Sequence, residues 1–146
     1  MCRASHSICA LPLPHVMEIL RPLAIRPIQA PQPFVCGLSV IRGAPVPVVD
    51  LATVIGKDRT GSISRWVTLR LAERRLALAV NDVLGIRELE ESTLQALPPL
   101  LRDANRGVVE SVGTLDSELL VVLEAGRILP EEIWDGLAKE GEGACR

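Results

Sequence analysis

The side chains with the clearest chemical potential stand near the start of the chain. Cys2, His6, Cys9 and His15 fall within fifteen residues, and two thiolates with two imidazoles suffice for a tetrahedral zinc site. Their spacing, C-x3-H-x2-C-x5-H, is not a recurring zinc pattern, and Cys9 sits in an apolar stretch that reads as strand. A small metal-binding protein is therefore the lesser reading. Catalysis has still less to work with. The chain contains no G-x-S-x-G elbow, no P-loop, no HExxH and no Gly-rich dinucleotide turn. A carboxylate such as Asp50 or Asp82 carries no catalytic argument by itself, and Asp50 ends a strand, where it suits bonding to nearby backbone N–H groups. The expectation is a non-enzyme with no catalytic residue, no metal and no cofactor.

Composition bounds what remains. A chain of 146 residues fits one domain or two small subdomains sharing a core, and 48% hydrophobic residues exclude a disordered chain. Phe34, Trp66 and Trp134 are the only aromatic residues, so aliphatic side chains and Ala must fill the interior. The net charge of −2, without a basic stripe or stacking aromatics, argues against nucleic acid as a partner. Apolar runs such as Leu119 to Leu123 are strand-sized, far below the ~20 residues of a membrane helix. The first residues lack the apolar stretch of an export signal before Pro12 and Pro14, so the expected location is the cytoplasm. There Cys2, Cys9, Cys36 and Cys145 are expected as free thiols.

The positioning elements read as many short strands. Residues 8–13 form a strand that Pro12 confines to an edge or an end. His15 to Leu20, following Pro14, reads as one or two helical turns. Residues 21–33 carry Pro22, Pro27, Pro31 and Pro33 and predict an extended connector. Gly37–Ile41 and Val46–Leu51 pair around Arg42-Gly43-Ala44-Pro45, where Gly43 supplies a positive φ. A polar loop over 56–62 leads to Trp66–Leu71, whose alternation predicts a strand with one wet face, then to Leu76–Val80 and a strand over 82–86. Residues 92–97 read as a single helical turn ended by Pro98-Pro99, and 107–115 with 119–123 as a hairpin. A last helix starts at Pro130 with Ile133, Trp134 and Leu137 on one face, and a disordered tail follows from Gly141. Short strands with turns every eight to twelve residues mean a barrel or sandwich.

Residues 37–51, Gly-Leu-Ser-Val-Ile-Arg-Gly-Ala-Pro-Val-Pro-Val-Val-Asp-Leu, resemble the signature of CheW-like domains, roughly G-x-x-x-[IL]-R-G-x-x-[VI]-P-[VI]-[VI]-D-L. The flanks agree in order: Cys9-Ala10-Leu11-Pro12-Leu13 with Val16-x-Glu18-Ile19 upstream, and Leu78-Ala79-Val80-x-x-Val83, Gly107-Val108-x-x-x-Val112-Gly113 and Leu119 to Leu123 downstream. The resemblance covers residues 8–135, leaving 136–146 as helix end and tail. It implies a mainly β fold of two SH3-like five-stranded barrels with short helices, packed about a shared apolar seam. The family usually opens with a complete strand before the Cys-Ala-Leu-Pro-Leu stretch; here that strand is expected to be truncated, leaving an exposed sheet edge. Val40 stands where the family often has Asn, which weakens polar contacts beside Arg42.

The resemblance also implies a role: an adaptor between the cytoplasmic tip of a methyl-accepting chemoreceptor and the regulatory domain of the histidine kinase CheA, reaching the membrane only through those partners. The implied binding residues are Val16, Glu18, Ile19, Gly37, Arg42 and Gly43. Val16 and Ile19 would give apolar contact and Glu18 would set register against a basic receptor residue. Arg42 would either donate a forked hydrogen bond to a receptor carboxylate or carbonyl, worth ~1.5–3 kcal/mol if desolvated, or brace its own turn. A degenerate relative serving a non-chemotactic receptor is the alternative with the same fold.

Overall fold

The computed structural model describes residues 1–29, 32–58, 60–104 and 106–136. Eleven strands make two sheets. The chain begins with β1 (Cys2–Ala4) and β2 (Ser7–Ala10), then leaves for five consecutive strands: β3 (Val16–Leu20), β4 (Val35–Ile41), β5 (Ala44–Asp50), β6 (Arg65–Leu71) and β7 (Arg74–Val80). It returns with β8 (Asp82–Val83), β9 (Gln95–Ala96), β10 (Val109–Leu115) and β11 (Glu118–Leu123). The first sheet has the order β8-β1-β2-β11-β10-β9, with β2 and β11 parallel; the second has the order β3-β6-β7-β5-β4. Among the described residues helix is confined to α1 (Leu51–Val54), α2 (Pro99–Ala104), α3 (131–136) and three 3-10 turns.

Strand periodicity sends alternate side chains to different cores. In β2 and β11, Ile8, Ala10, Leu120 and Val122 fill the interior of the first barrel, while Cys9, Val121 and Leu123 face the other way. In β5, β6 and β7, Val46, Val48, Trp66, Ala77 and Ala79 fill the second barrel. Trp66 lies opposite Ala79, so one large ring is accommodated by small neighbours. The outward faces of both sheets, including Val67, Leu69, Leu76, Leu78 and Val80, meet in the largest core, which is the seam between barrels. These strands are buried on both faces. Thr68, expected on a wet face, is 4% exposed and exchanges hydrogen bonds with the Glu18 backbone.

The return to the first barrel is pinned by Asn81. Its Nδ2 donates to the carbonyls of Thr60 (2.8 Å) and Ser62 (3.1 Å), and its Oδ1 accepts from the Ser5 N–H (2.7 Å). One side chain thus ties the loop before β6 to the β1–β2 turn.

Several expectations are corrected. His15 to Leu20 is not helical: a 3-10 turn over Leu13–His15 delivers the chain into β3. Leu51 opens α1 instead of ending β5. The strand expected over 82–86 stops at Val83. Pro99 begins α2, where a stop was expected, and the turn before it is Glu91–Thr93 followed by β9. The first strand is short, yet β1 pairs with β2 on one side and β8 on the other, so β2 is not an exposed edge. The first sheet has six strands where five were expected, two of its outer strands being two-residue pairings. The connector forms one isolated bridge, Arg26 to Leu38. Pro31, Leu137, Cys145 and the tail from Gly141 lie outside the described residues.

Candidate functional site

A cleft of about 440 Å³ opens between the two barrels, with Met1, Cys2, Ala10 and Val83 on one wall and Val16, Ile19 and Val67 on the other. Its polar rim includes Arg87 and Glu88. Val16 and Ile19 are three residues apart, so regular alternation would send them to opposite faces. A β-bulge between Val16 and Glu18 corrects this: Val16 pairs with Leu69 and Ile19 with Val67, two residues of one face of β6. Both side chains therefore reach the cleft. Ile19 is 49% exposed, an aliphatic surface that the described residues leave open.

The same bulge leaves Glu18 on the opposite face, beside Thr68. There it receives Arg42 in a two-pronged pair, Nε to Oε1 at 3.1 Å and Nη2 to Oε2 at 2.7 Å. The Arg42 hydrogen bonds hold the Glu18 carboxyl below the usual carboxylate range; desolvation opposes them, and the charges of Arg42 and Arg75 lower it further. β3 and β4 are the two edges of the second sheet. The pair thus clasps the barrel where no backbone ladder closes it. In this structure Arg42 bonds to Glu18 across the gap between β3 and β4, and not to the carbonyls of its own turn.

Gly43 and Arg42 both have positive φ, +77° and +53°, in the two-residue β4–β5 turn. An added side chain at Gly43 would meet nothing within 4 Å. Gly37 is different. Its φ is +147°, and a Cβ there would collide with the Arg26 carbonyl and the Ile25 side chain, so it makes room for the connector to lie across β4. The six expected residues thus separate into Val16 and Ile19 in the cleft, Glu18, Arg42 and Gly43 at the barrel clasp, and Gly37 beneath the connector. Sequence reasoning missed the far wall, Leu11, Leu13, Ile86 and Leu89. The segment after β8 sets Ile86 and Leu89 singly among Arg87, Glu88, Glu90 and Glu91, a pattern that does not distinguish a cleft wall from a loop.

The zinc reading loses its geometry. Cys2 and Cys9 face each other in register, buried in the seam, while His6 is exposed and His15 Nδ1 lies 3.3 Å from the Arg70 carbonyl. Among the described residues no three His, Cys, Asp or Glu side chains gather as a metal ion would require. Burial pushes the Cys2 thiol up to about 12 and raises Cys9 as well.

Comparison with known proteins agrees with this architecture. The chain is 24% identical over 101 residues to a chemotaxis protein CheW of Rhizobium meliloti (strain 1021), covering 68% of this chain and 65% of that protein. It is 18% identical over 125 residues to a chemotaxis protein CheW of Helicobacter pylori (strain ATCC 700392 / 26695), covering 84% and 75% respectively. The chain thus spans about 65% of the length of the Rhizobium relative. The crystal structure of the scaffolding protein TtCheW from Thermoanaerobacter tengcongensis superposes with a TM-score of 0.70 at 21% identity, over 84% of this chain and 85% of that one, and so shares its fold. Residues 1–132 match the model of the CheW-like domain, and with that span matched the chain belongs to the CheW-like domain family.

Proposed function

We propose that this chain is a non-catalytic chemotaxis adaptor that joins the cytoplasmic tip of a methyl-accepting chemoreceptor to the regulatory domain of CheA. The observation carrying this reading is the inter-barrel cleft, with Val16 and Ile19 turned into it together by the β3 bulge. An amphipathic helix lays apolar anchors into such a groove and leaves its charged residues at the rim. Val16 and Ile19 supply apolar contact, and Arg87 and Glu88 supply polar partners. Glu18, Arg42 and Gly43 border the site from the far side of β3 and take part by exchanging their mutual pair for contacts with a partner; Gly37 contributes by holding the connector. The protein works in the cytoplasm and reaches the receptor array through these contacts. Among the described residues no helix is long and apolar enough to cross a membrane. Support for the role comes from relatives that are themselves chemotaxis proteins.

The test is a reconstituted kinase assay with receptor-tip fragments and CheA, comparing the parent chain with Ile19→Glu. A carboxylate in the cleft is expected to weaken receptor capture at least about tenfold, the effect of one lost hot-spot contact. Receptor capture and kinase stimulation that persist in a folded Ile19→Glu protein would reject the cleft as the binding surface. A parent chain that binds helical receptor fragments but leaves CheA unstimulated would favour the non-chemotactic alternative.

A further inference from the structure

The open end of the second barrel gathers three arginines, Arg42, Arg70 and Arg75, about Glu18. β5 and β7 run parallel with Val48 beside Ala77, so the turns that precede them, Arg42-Gly43 and Ala72-Glu73, project from the same end. At that end β6 and β7 pair with Arg70 directly opposite Arg75. Directly opposed residues share a face of the sheet, and like charges there repel. By alternation the face is that of Trp66 and Thr68, on which Glu18 also lies. Arg70 is exposed and Arg75 half-buried.

Glu18 is the carboxylate this rim holds, and both oxygens already accept from Arg42. Arg70 spends one N–H on the Ala72 carbonyl at 3.1 Å. Among the described residues neither Arg70 nor Arg75 has a hydrogen-bonded carboxylate. Their neighbour Arg74 is committed elsewhere: it donates to both Glu131 oxygens at 2.8 Å and stacks on Trp134. Glu73 lines a surface hollow together with Arg74, Glu131 and Trp134.

We propose that Arg70 and Arg75, bordered by the Arg42–Glu18 pair, form a docking surface for an acidic segment of a partner protein. It lies on the opposite face of β3 from the apolar cleft and does not depend on what fills that cleft. Each guanidinium offers a planar fork that matches a carboxylate, as Arg42 does with Glu18. The standing charge of Glu18 opposes a phosphate dianion more than a singly charged carboxylate, which favours Asp or Glu side chains as the occupants.

The full chain is titrated calorimetrically with a hexaglutamate peptide, with hexalysine and with inorganic phosphate. Hexaglutamate is expected to bind at low salt and to weaken sharply at about 0.5 M salt, where screening is short-ranged. The double variant R70Q/R75Q is expected to lose at least about tenfold in affinity while its thermal midpoint holds or rises, because a repulsive pair is relieved. R65Q, at the other end of β6, serves as the control for general charge and is expected to bind as the parent does. Undetectable hexaglutamate binding, equal binding by R70Q/R75Q, an equal loss in R65Q, a fall in the midpoint of R70Q/R75Q, or phosphate bound as tightly as the peptide would each overturn the proposal. Ile19→Ala is expected to leave hexaglutamate binding unchanged, so this surface and the cleft stand or fall separately.

Discussion

Gly37→Ala tests how the connector is held, and its cost follows from the geometry along two routes. If the connector stays, the alanine must occupy φ near +147° with its Cβ pressed on the Arg26 carbonyl and the Ile25 side chain. Backbone strain of that kind costs ~1–3 kcal/mol and overpacking another ~1–3 kcal/mol. If the connector moves away, the chain loses Arg26 N–H to Leu38 O (2.7 Å), Leu38 N–H to Arg26 O (2.9 Å) and Ser39 Oγ to the Ala24 carbonyl (2.8 Å). At ~0.5–1.5 kcal/mol each, those three bonds sum to about 3 kcal/mol. The variant takes the cheaper route, so destabilisation of about 2–4 kcal/mol is expected either way. Urea unfolding followed by tryptophan fluorescence measures it, with Trp66 buried in the barrel beside the perturbed strand pair. A loss below about 1 kcal/mol, the size of an ordinary surface substitution, would refute the close approach of connector and β4.

Other outcomes follow from the same packing. Trp66→Ala empties the centre of the second barrel and should cost ~3–5 kcal/mol in urea unfolding followed by circular dichroism, since Ala77 and Ala79 are too small to refill it. Cys2 and Cys9 should resist iodoacetamide in the native protein at pH 8 and react in denaturant, as buried thiols with raised pKa; mass spectrometry of the modified peptides reads this directly. The Glu18–Arg42 contribution should depend on pH. Because the folded-state pKa of Glu18 lies below its unfolded value, the stabilisation is fully present above the ordinary carboxylate value of about 4.3 and disappears as pH falls through the lowered one. A double-mutant cycle with E18Q and R42Q should therefore show coupling at neutral pH and none in strong acid.

Three hairpins were legible because their turn residues and apolar stretches are local: β4–β5, β6–β7 and β10–β11. β3 was not. Its bulge places Val16 and Ile19 on one face at a spacing of three, which imitates a helical stripe, and Pro14 just ahead of it strengthens the imitation. α2 was lost because Pro99 both ends one pattern and begins another, since proline suits the first helical turn. The alternation of β6 suggested water on one side, but a barrel packed against a second barrel has no wet face there, and Thr68 is satisfied by the Glu18 backbone. β1 consists of three residues whose strand character comes from pairing with β2 and β8, which no local pattern encodes. Within the site, Val16 and Ile19 could be chosen from the family motif. The Arg42–Glu18 clasp and the Arg70–Arg75 opposition could not, because barrel closure and strand register create them across separations of 24 and of five residues.

Methyl-resolved NMR of the full chain, titrated with a receptor-tip helical hairpin, tests the central claim most directly. The Val16, Ile19 and Leu89 methyl signals are expected to move together and saturate at one affinity, while Ile8 and Leu120, sealed inside the first barrel, stay in place. Movement confined to residues outside the inter-barrel cleft, with Val16 and Ile19 unperturbed at saturation, would contradict it.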